Sequence, residues 1–349
     1  MKLIHEHSLC FDDVLLIPQF GTVASRQEID LSTELSGVKL NVPIIAANMS
    51  TVCESEMAVG LGNAGGMGII HRFMPAKEQL YHVVKAREST NGPVGFSVGI
   101  GEEGLDRFKE VYKAANLVCV DVAHGFCQEG VKFLLNLLDL THGDYPIMFG
   151  QVTDVKGLFD KLPDAEYKKL SLKTSIGGGS MCTTRIMTGF GVPTLQAVMD
   201  CSEYLDSVES PTKIIADGGI KNSGDIVKSL AAGASAVMLG KLLSCVKEAP
   251  GKIIKKDGKY YKLYAGSASY AGKQTAGLPT THIEGESQWI EIDPATQPSV
   301  ADVVKMLCDG IRSGISYGGG TNIYQLQLNA KFSIVSGRGF RENTAHGLS

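Results

Sequence analysis

The stretch KLSLKTSIGGGSMCTTR, Lys169–Arg185, contains the join that decides the fold. A short, mostly apolar run, Lys169–Gly177, meets the three consecutive glycines Gly177–Gly179, and Ser180 and Cys182 follow at once. A run of this length reads as a strand buried on both faces of a parallel sheet. Glycines let backbone N–H groups approach an anion closely. A cysteine beside such a loop sits where a thiolate is favoured and a phosphate ester is within reach. The stretch therefore suggests a strand that ends in covalent chemistry on a phosphorylated substrate.

The same kind of run recurs on both sides of it. Upstream lie Pro43–Met49, Gly66–Phe73, Pro93–Ile100, Leu117–Gly125 and Tyr145–Val152; downstream lie Lys213–Gly219 and Ala236–Leu243. With Lys169–Gly177 that makes eight. Helical patterns fill the gaps: Glu54–Asn63, Ala76–Arg87, Glu102–Ala115, Gln128–Leu140, Val155–Leu162, Pro193–Leu205, Ser223–Ala232 with Ser223 as its N-cap, and a delayed Ser299–Arg312. Eight β/α units predict an α/β protein, a closed (β/α)8 TIM barrel, with a doubly wound open sheet as the alternative. Two insertions break the rhythm, a catalytic loop Gly178–Gly191 after strand six and Ser244–Pro298 after strand eight. The second holds a hairpin turn at Asp257-Gly258 and a polar flap, Tyr270–His282. Both follow strand C-termini, the catalytic face of such a barrel. One domain over 1–349 is expected, with no regulatory insertion domain.

Composition narrows the function classes. The chain has 349 residues, 44% hydrophobic and 20% charged, with a formal net charge of −4 and no long basic block, so nucleic acid has no compositional support as a partner. The Lys252, Lys255 and Lys256 cluster reads as a solvated hairpin. No apolar run reaches the roughly 18 residues of a membrane span, and the N-terminus lacks a signal-peptide core. The eight cysteines show no CxxC spacing, and Cys53, Cys119 and Cys201 read as small buried hydrophobes. A reducing, cytoplasmic setting is expected.

The chemistry-bearing residues gather at strand ends. Gly177–Ser180 ends strand six, Asp217-Gly218-Gly219 ends strand seven, and Gly240-Lys241 lies at strand eight. Backbone N–H groups of Ser180, Gly219 and Gly240, with the Ser180 hydroxyl, can converge on one phosphate, with Asp217 placed to accept from ribose hydroxyls. Any one of these glycine loops, taken singly, could equally be a tight turn; all three together favour the cradle. Cys182 lies in a polar loop, which favours a nucleophile over a core residue. Asp121 and Glu284 are carboxylates that could serve the same face.

Ordered motifs then resemble the IMP dehydrogenase / GMP reductase family over essentially the whole chain. They are FDDVLLIP (Phe11–Pro18), AANM (Ala46–Met49), GGMGIIHRF (Gly65–Phe73), DVAHG (Asp121–Gly125), GGSMCTTR (Gly178–Arg185), IADGGI (Ile215–Ile220), VMLG (Val237–Gly240), YAGSAS (Tyr264–Ser269) and Glu284-Gly285. The resemblance implies the same barrel, usually a homotetramer, binding a purine nucleotide. Both activities use the loop cysteine to attack purine C2. The dehydrogenase then needs a water-activating arginine on its flap, and no arginine occurs between Arg185 and Arg312. The motifs look like reductase versions, and this implies reductive deamination of GMP to IMP with NADPH. IMP dehydrogenation with NAD and a non-catalytic nucleotide-binding relative are the alternatives.

Carried over by position, the resemblance makes Cys182 the nucleophile and Thr184 with Glu284 its acid–base pair. Ser180, Gly219, Gly240 and Tyr264 would hold phosphate, and Asp217 the ribose. Ser267, Ser269 and Glu284 would face the base, with Met49, Gly218, Lys241 and Gly266 also binding substrate, while Asp121, Ala123 and Gly125 would lie towards the nicotinamide. Carbonyls of Gly177, Gly179 and Cys182 would ligate a monovalent cation such as K+. Four places depart from the family: Gly178 stands for proline, Ser50 for an acidic residue, Gln151 for asparagine, and Thr174-Ser175 for Val-Gly. The last three leave a modified purine nucleotide open as the substrate.

Overall fold

A computed structural model describes residues 4–163, 167–275, 277, 279–337, 339 and 343. Eight parallel strands close into a barrel: β1 Ile44–Ala46, β2 Met67–Ile70, β3 Val94–Val98, β4 Leu117–Asp121, β5 Ile147–Gly150, β6 Leu170–Thr174, β7 Lys213–Asp217 and β8 Ala236–Leu239. Each pairs with its neighbours in chain order, and β8 returns to β1 through Val237 opposite Ile44. Every run expected to be a strand contains one. The strands are nearly continuously buried because side chains fill the barrel on one face and helices cover the other. Cys53, Cys119 and Cys201 lie in this core.

The helices follow the expected order with shifted ends. The third stops at Val111 and tightens into a 3-10 turn over Tyr112–Ala114, and the fifth is only Val155–Phe159. Helix Ser223–Ala231 corrects one expectation. Its N-cap is Asn222, not Ser223, because the Asn222 side chain accepts from the Asp225 N–H at 3.0 Å. The last barrel helix, Val300–Tyr317, starts at Ser299 with a capping box to Asp302. None of the helices among the described residues is long and apolar enough to cross a membrane.

The insertion after β8 forms a three-stranded antiparallel sheet, Ile253–Lys256, Lys259–Ala265 and Ser287–Ile292. The hairpin turn falls at Asp257-Gly258, with φ of 52° and 79°. The third strand was not anticipated, and it matters because Glu284 lies just before it. Within the flap, Ala276 and Leu278 lie outside the described residues. A hairpin that was not anticipated, Thr33–Leu35 with Val38–Leu40, packs at the opposite end of the barrel. Its Ser36 hydroxyl donates to the Ile147 carbonyl and to Ser171 at the starts of β5 and β6.

Candidate active site

A cavity of about 350 Å³ opens at the C-terminal mouth of the barrel. Two segments far apart in the chain are stitched together on its rim. Thr183 N–H donates to the Glu284 carbonyl at 3.0 Å, Glu286 N–H to Met181 at 2.8 Å, and Glu284 N–H to Ala268 at 3.2 Å. This pairing aligns three side chains. The Cys182 thiol donates to Thr184 Oγ1 at 3.1 Å, and Thr184 Oγ1 donates to Glu284 Oε2 at 2.8 Å. A hydroxyl can accept one proton while donating another, so thiol, hydroxyl and carboxylate form a directional relay. Run forward it draws the sulfur proton towards Glu284; run backward it returns a proton to a leaving group near the sulfur.

Beside the relay lie some of the residues expected to hold an anion. Ser180 Oγ and the Tyr264 hydroxyl are 3.5 Å apart. Tyr264 is buried, which pushes its phenol above the ordinary value and keeps it a donor. Gly218, at φ 94°, brings the β7 loop so close to the β6 loop that a Cβ would sit 2.8 Å from the Gly179 nitrogen. Gly177, Gly179, Ser180, Cys182, Thr184, Asp217, Gly218, Tyr264, Gly266, Ser267 and Glu284 all line the cavity, as do Met49, Asp121 and Ala123.

Five expected residues do not line it. Ser269 is 1% exposed, and its hydroxyl accepts from Gly272 N–H at 3.0 Å, so it caps the flap helix Tyr270–Thr275 instead of facing a base. Gly125 is turned to Gln151, donating its N–H to that carbonyl at 2.7 Å. Gly240 packs behind the Tyr264 hydroxyl, Lys241 is exposed, and Gly219 lies off the wall. Of the departures from the family pattern, Gln151 and Ser175 reach the cavity, whereas Ser50 and Thr174 do not. Gly178 has a local reason: a Cβ there would meet Ser175 Oγ and Thr194 Oγ1 at 2.4 Å each. A proline would collide with both, so the glycine goes together with those two hydroxyls.

The cavity floor carries charges that sequence reading did not assign. Lys173, 2% exposed, places Nζ 3.0 Å from Asp217 Oδ2 and 3.4 Å from Asp121 Oδ1. Burial alone would lower its pKa, but the two carboxylates outweigh that, so it stays protonated. Burial would likewise raise Asp121, and the Lys173 and Arg72 cations hold it below the ordinary carboxylate value. Arg72 lies across the Phe73 ring, with Nε 3.8 Å from Asp121 Oδ2. Gln151 Nε2 donates to Asp217 Oδ2, while its own Oε1 is buried without a hydrogen-bond partner. One signal for Lys173 was available: a lone lysine inside a strand buried on both faces needs a partner.

Asp121, Val122 and Ala123, with Arg72 and Phe73, line one wall of the same cavity. Two contacts involve residues expected to hold the cation. The Gly179 carbonyl already accepts Cys182 N–H at 3.0 Å, and the Arg185 side chain packs against Gly177 while donating to the Ile176 and Val192 carbonyls.

A closed (β/α)8 barrel with a cysteine-bearing loop after β6 at its C-terminal mouth is an enzyme-type architecture. The family model for the IMP dehydrogenase / GMP reductase domain matches residues 8–346, and the chain belongs to that family of oxidoreductases of purine metabolism. It is 29% identical to inosine-5'-monophosphate dehydrogenase of Nitrosopumilus maritimus, covering 98% of this chain and 99% of that one. It is also 29% identical to GMP reductase of Leishmania major, covering 98% and 97%. A GMP reductase variant from Trypanosoma brucei, solved in complex with guanosine 5'-monophosphate, superimposes with a TM-score of 0.89 at 26% identity, covering 99% of both chains. The relatives thus bear both activities' names.

Proposed function

We propose that this protein is a GMP reductase, converting GMP, NADPH and a proton to IMP, NADP+ and ammonia. The observation that carries the reading is the Cys182–Thr184–Glu284 relay in a mouth region without a flap arginine. Arg185, the nearest arginine in the chain, is committed to backbone carbonyls. Cys182 gives its proton through Thr184 to Glu284, and its sulfur bonds to purine C2. The C2–N bond then breaks, and Glu284 returns the proton through Thr184 so that the nitrogen leaves as ammonia. Bound NADPH supplies the hydride that replaces the amino group at C2. The C–S bond then opens with its electron pair on sulfur, and the proton consumed in the overall reaction restores the thiol. Ser180 and Tyr264 are the phosphate donors in this reading, and Asp217 is the acceptor for ribose hydroxyls. A homotetramer in the cytoplasm belongs to the same reading. No step runs through a cation.

One observation favours a second reading, IMP dehydrogenation with NAD: an arginine does line the cavity, although it is Arg72 and is paired with Asp121. Absorbance at the reduced-nicotinamide band decides. Loss of absorbance with GMP and NADPH is expected. A gain with IMP and NAD, with no change in the first mixture, would sink the reductase reading.

A further inference from the structure

Lys173 has no counterpart in the roles above, yet it is the most deeply buried charge at the site. Its position follows from strand register. Asp121 at the end of β4 pairs with Gly150 of β5, and Gly150 pairs with Lys173 of β6. A side chain on Gly150 would fill the path, since its Cβ would lie 2.5 Å from Lys173 Cβ. Without one, the lysine spans from β6 to a carboxylate two strands away. It also reaches Asp217, at the end of β7.

The ammonium is fully used. Its three protons face Asp217 Oδ2 at 3.0 Å, Asp121 Oδ1 at 3.4 Å and Met238 Sδ at 3.9 Å. None is left for a ligand, so Lys173 is not placed to touch a reacting atom. Both Lys173 and Gln151 take Oδ2 of Asp217, so Oδ1 is the oxygen they leave free. Asp121 is tied through Oδ1 to Lys173 and through Oδ2 to Arg72. One buried cation thus holds a carboxylate of the nucleotide side and a carboxylate of the nicotinamide side.

We propose that Lys173 is a positioning residue shared by the two halves of the site, so that the nucleotide and nicotinamide subsites are built on one charge and are energetically coupled. The inference rests on the proposed function, with Asp217 towards the ribose and Asp121 towards the nicotinamide as the family resemblance implies. Binding that reorders Asp217 must be felt at Asp121, and by linkage the reverse holds.

The test is a KM-against-kcat split in Lys173→Met and Lys173→Arg. In Lys173→Met, KM for both the nucleotide and the nicotinamide cofactor should rise at least tenfold, with kcat at saturation falling less. Lys173→Arg, which keeps the charge and can bridge two carboxylates, should recover most of both losses. A folded Lys173→Met with either KM unchanged overturns the proposal, as does an arginine variant no better than the methionine one. Should Lys173→Met not fold, Asp121→Asn decides by calorimetric titration with GMP alone. The GMP dissociation constant should rise at least threefold although Asp121 lies on the other side, and an unchanged constant overturns the proposal. The wild-type protein titrated with GMP and with IMP keeps the two failures apart: no binding of either defeats the functional reading, whereas binding that ignores Asp121→Asn defeats only the coupling.

Discussion

At the scale of single residues, the relay makes distinct claims about its three members. Cys182→Ala removes the sulfur proposed to bond to C2, so turnover should vanish while GMP still titrates; residual turnover near the wild-type rate would take the sulfur out of the mechanism. Thr184→Val keeps the shape but cuts the proton path between sulfur and carboxylate. The loss expected in kcat is about two to four orders of magnitude, the range of general acid–base contributions, with KM for nucleotide nearly constant. A loss confined to KM would instead make Thr184 a binding residue. Gln151 offers a buried acceptor without a partner, and a ligand N–H or O–H would satisfy it. Replacement by methionine removes that oxygen and also the Nε2 donor to Asp217, so nucleotide affinity should fall by about 1–3 kcal/mol, and a titration showing it unchanged would mean that neither contact serves binding.

At the scale of elements, the site depends on loops held by backbone contacts. Gly218→Ala forces a side chain into a left-handed conformation and against the Gly179 nitrogen. The strain is on the order of 1–3 kcal/mol, and because it separates the β6 and β7 loops, KM for the nucleotide should rise along with it. A variant that melts lower but keeps its KM would show that the loops adjust independently. Asn222→Ala provides the contrasting case. It removes the cap of the helix after β7 and should cost about 1 kcal/mol of stability with kcat/KM unchanged. A thermal melt beside a steady-state assay separates the two effects.

For the whole molecule, the buried charge cluster sets how stability responds to pH. Asp121 has a folded pKa below its ordinary 3.8, so its contribution is fully present above about pH 4 and is lost as pH falls through the lower folded value. Lys173 has a folded pKa above its ordinary 10.5, so its contribution is complete below that pH and is lost as pH rises through the higher folded value. A plateau of stability is therefore expected between these limits. Urea midpoints of wild type and Asp121→Asn should differ on the plateau and converge below pH 4; a constant difference would mean that the charge on Asp121 contributes nothing.

How much of this molecule was legible beforehand follows from the range of the forces involved. The order and number of strands, the insertion points and the Asp257-Gly258 turn are written in local apolar runs and local turn chemistry, and these sit where the runs predict. Cys182 and Thr184 are neighbours on one loop, and the motifs resembling the family pointed to Glu284 as their partner. What remained hidden is contact between residues far apart in the chain. The pairing of Thr183 with Glu284 and of Met181 with Glu286 exists only because the third insertion strand returns to the barrel mouth. Ser269 carries a polar side chain in a motif that faces a ligand by analogy, yet a backbone N–H three residues on claims its hydroxyl. Lys173 looks like an interruption in an apolar run until β4, β5, β6 and β7 are set side by side. The sequence by itself determined the barrel, because burial on both strand faces imposes a pattern on each short segment. Only the tertiary structure decided which carboxylates share a cation and which hydroxyls face the cavity, because hydrogen bonds and ion pairs act over a few ångströms in space and take no account of distance along the chain.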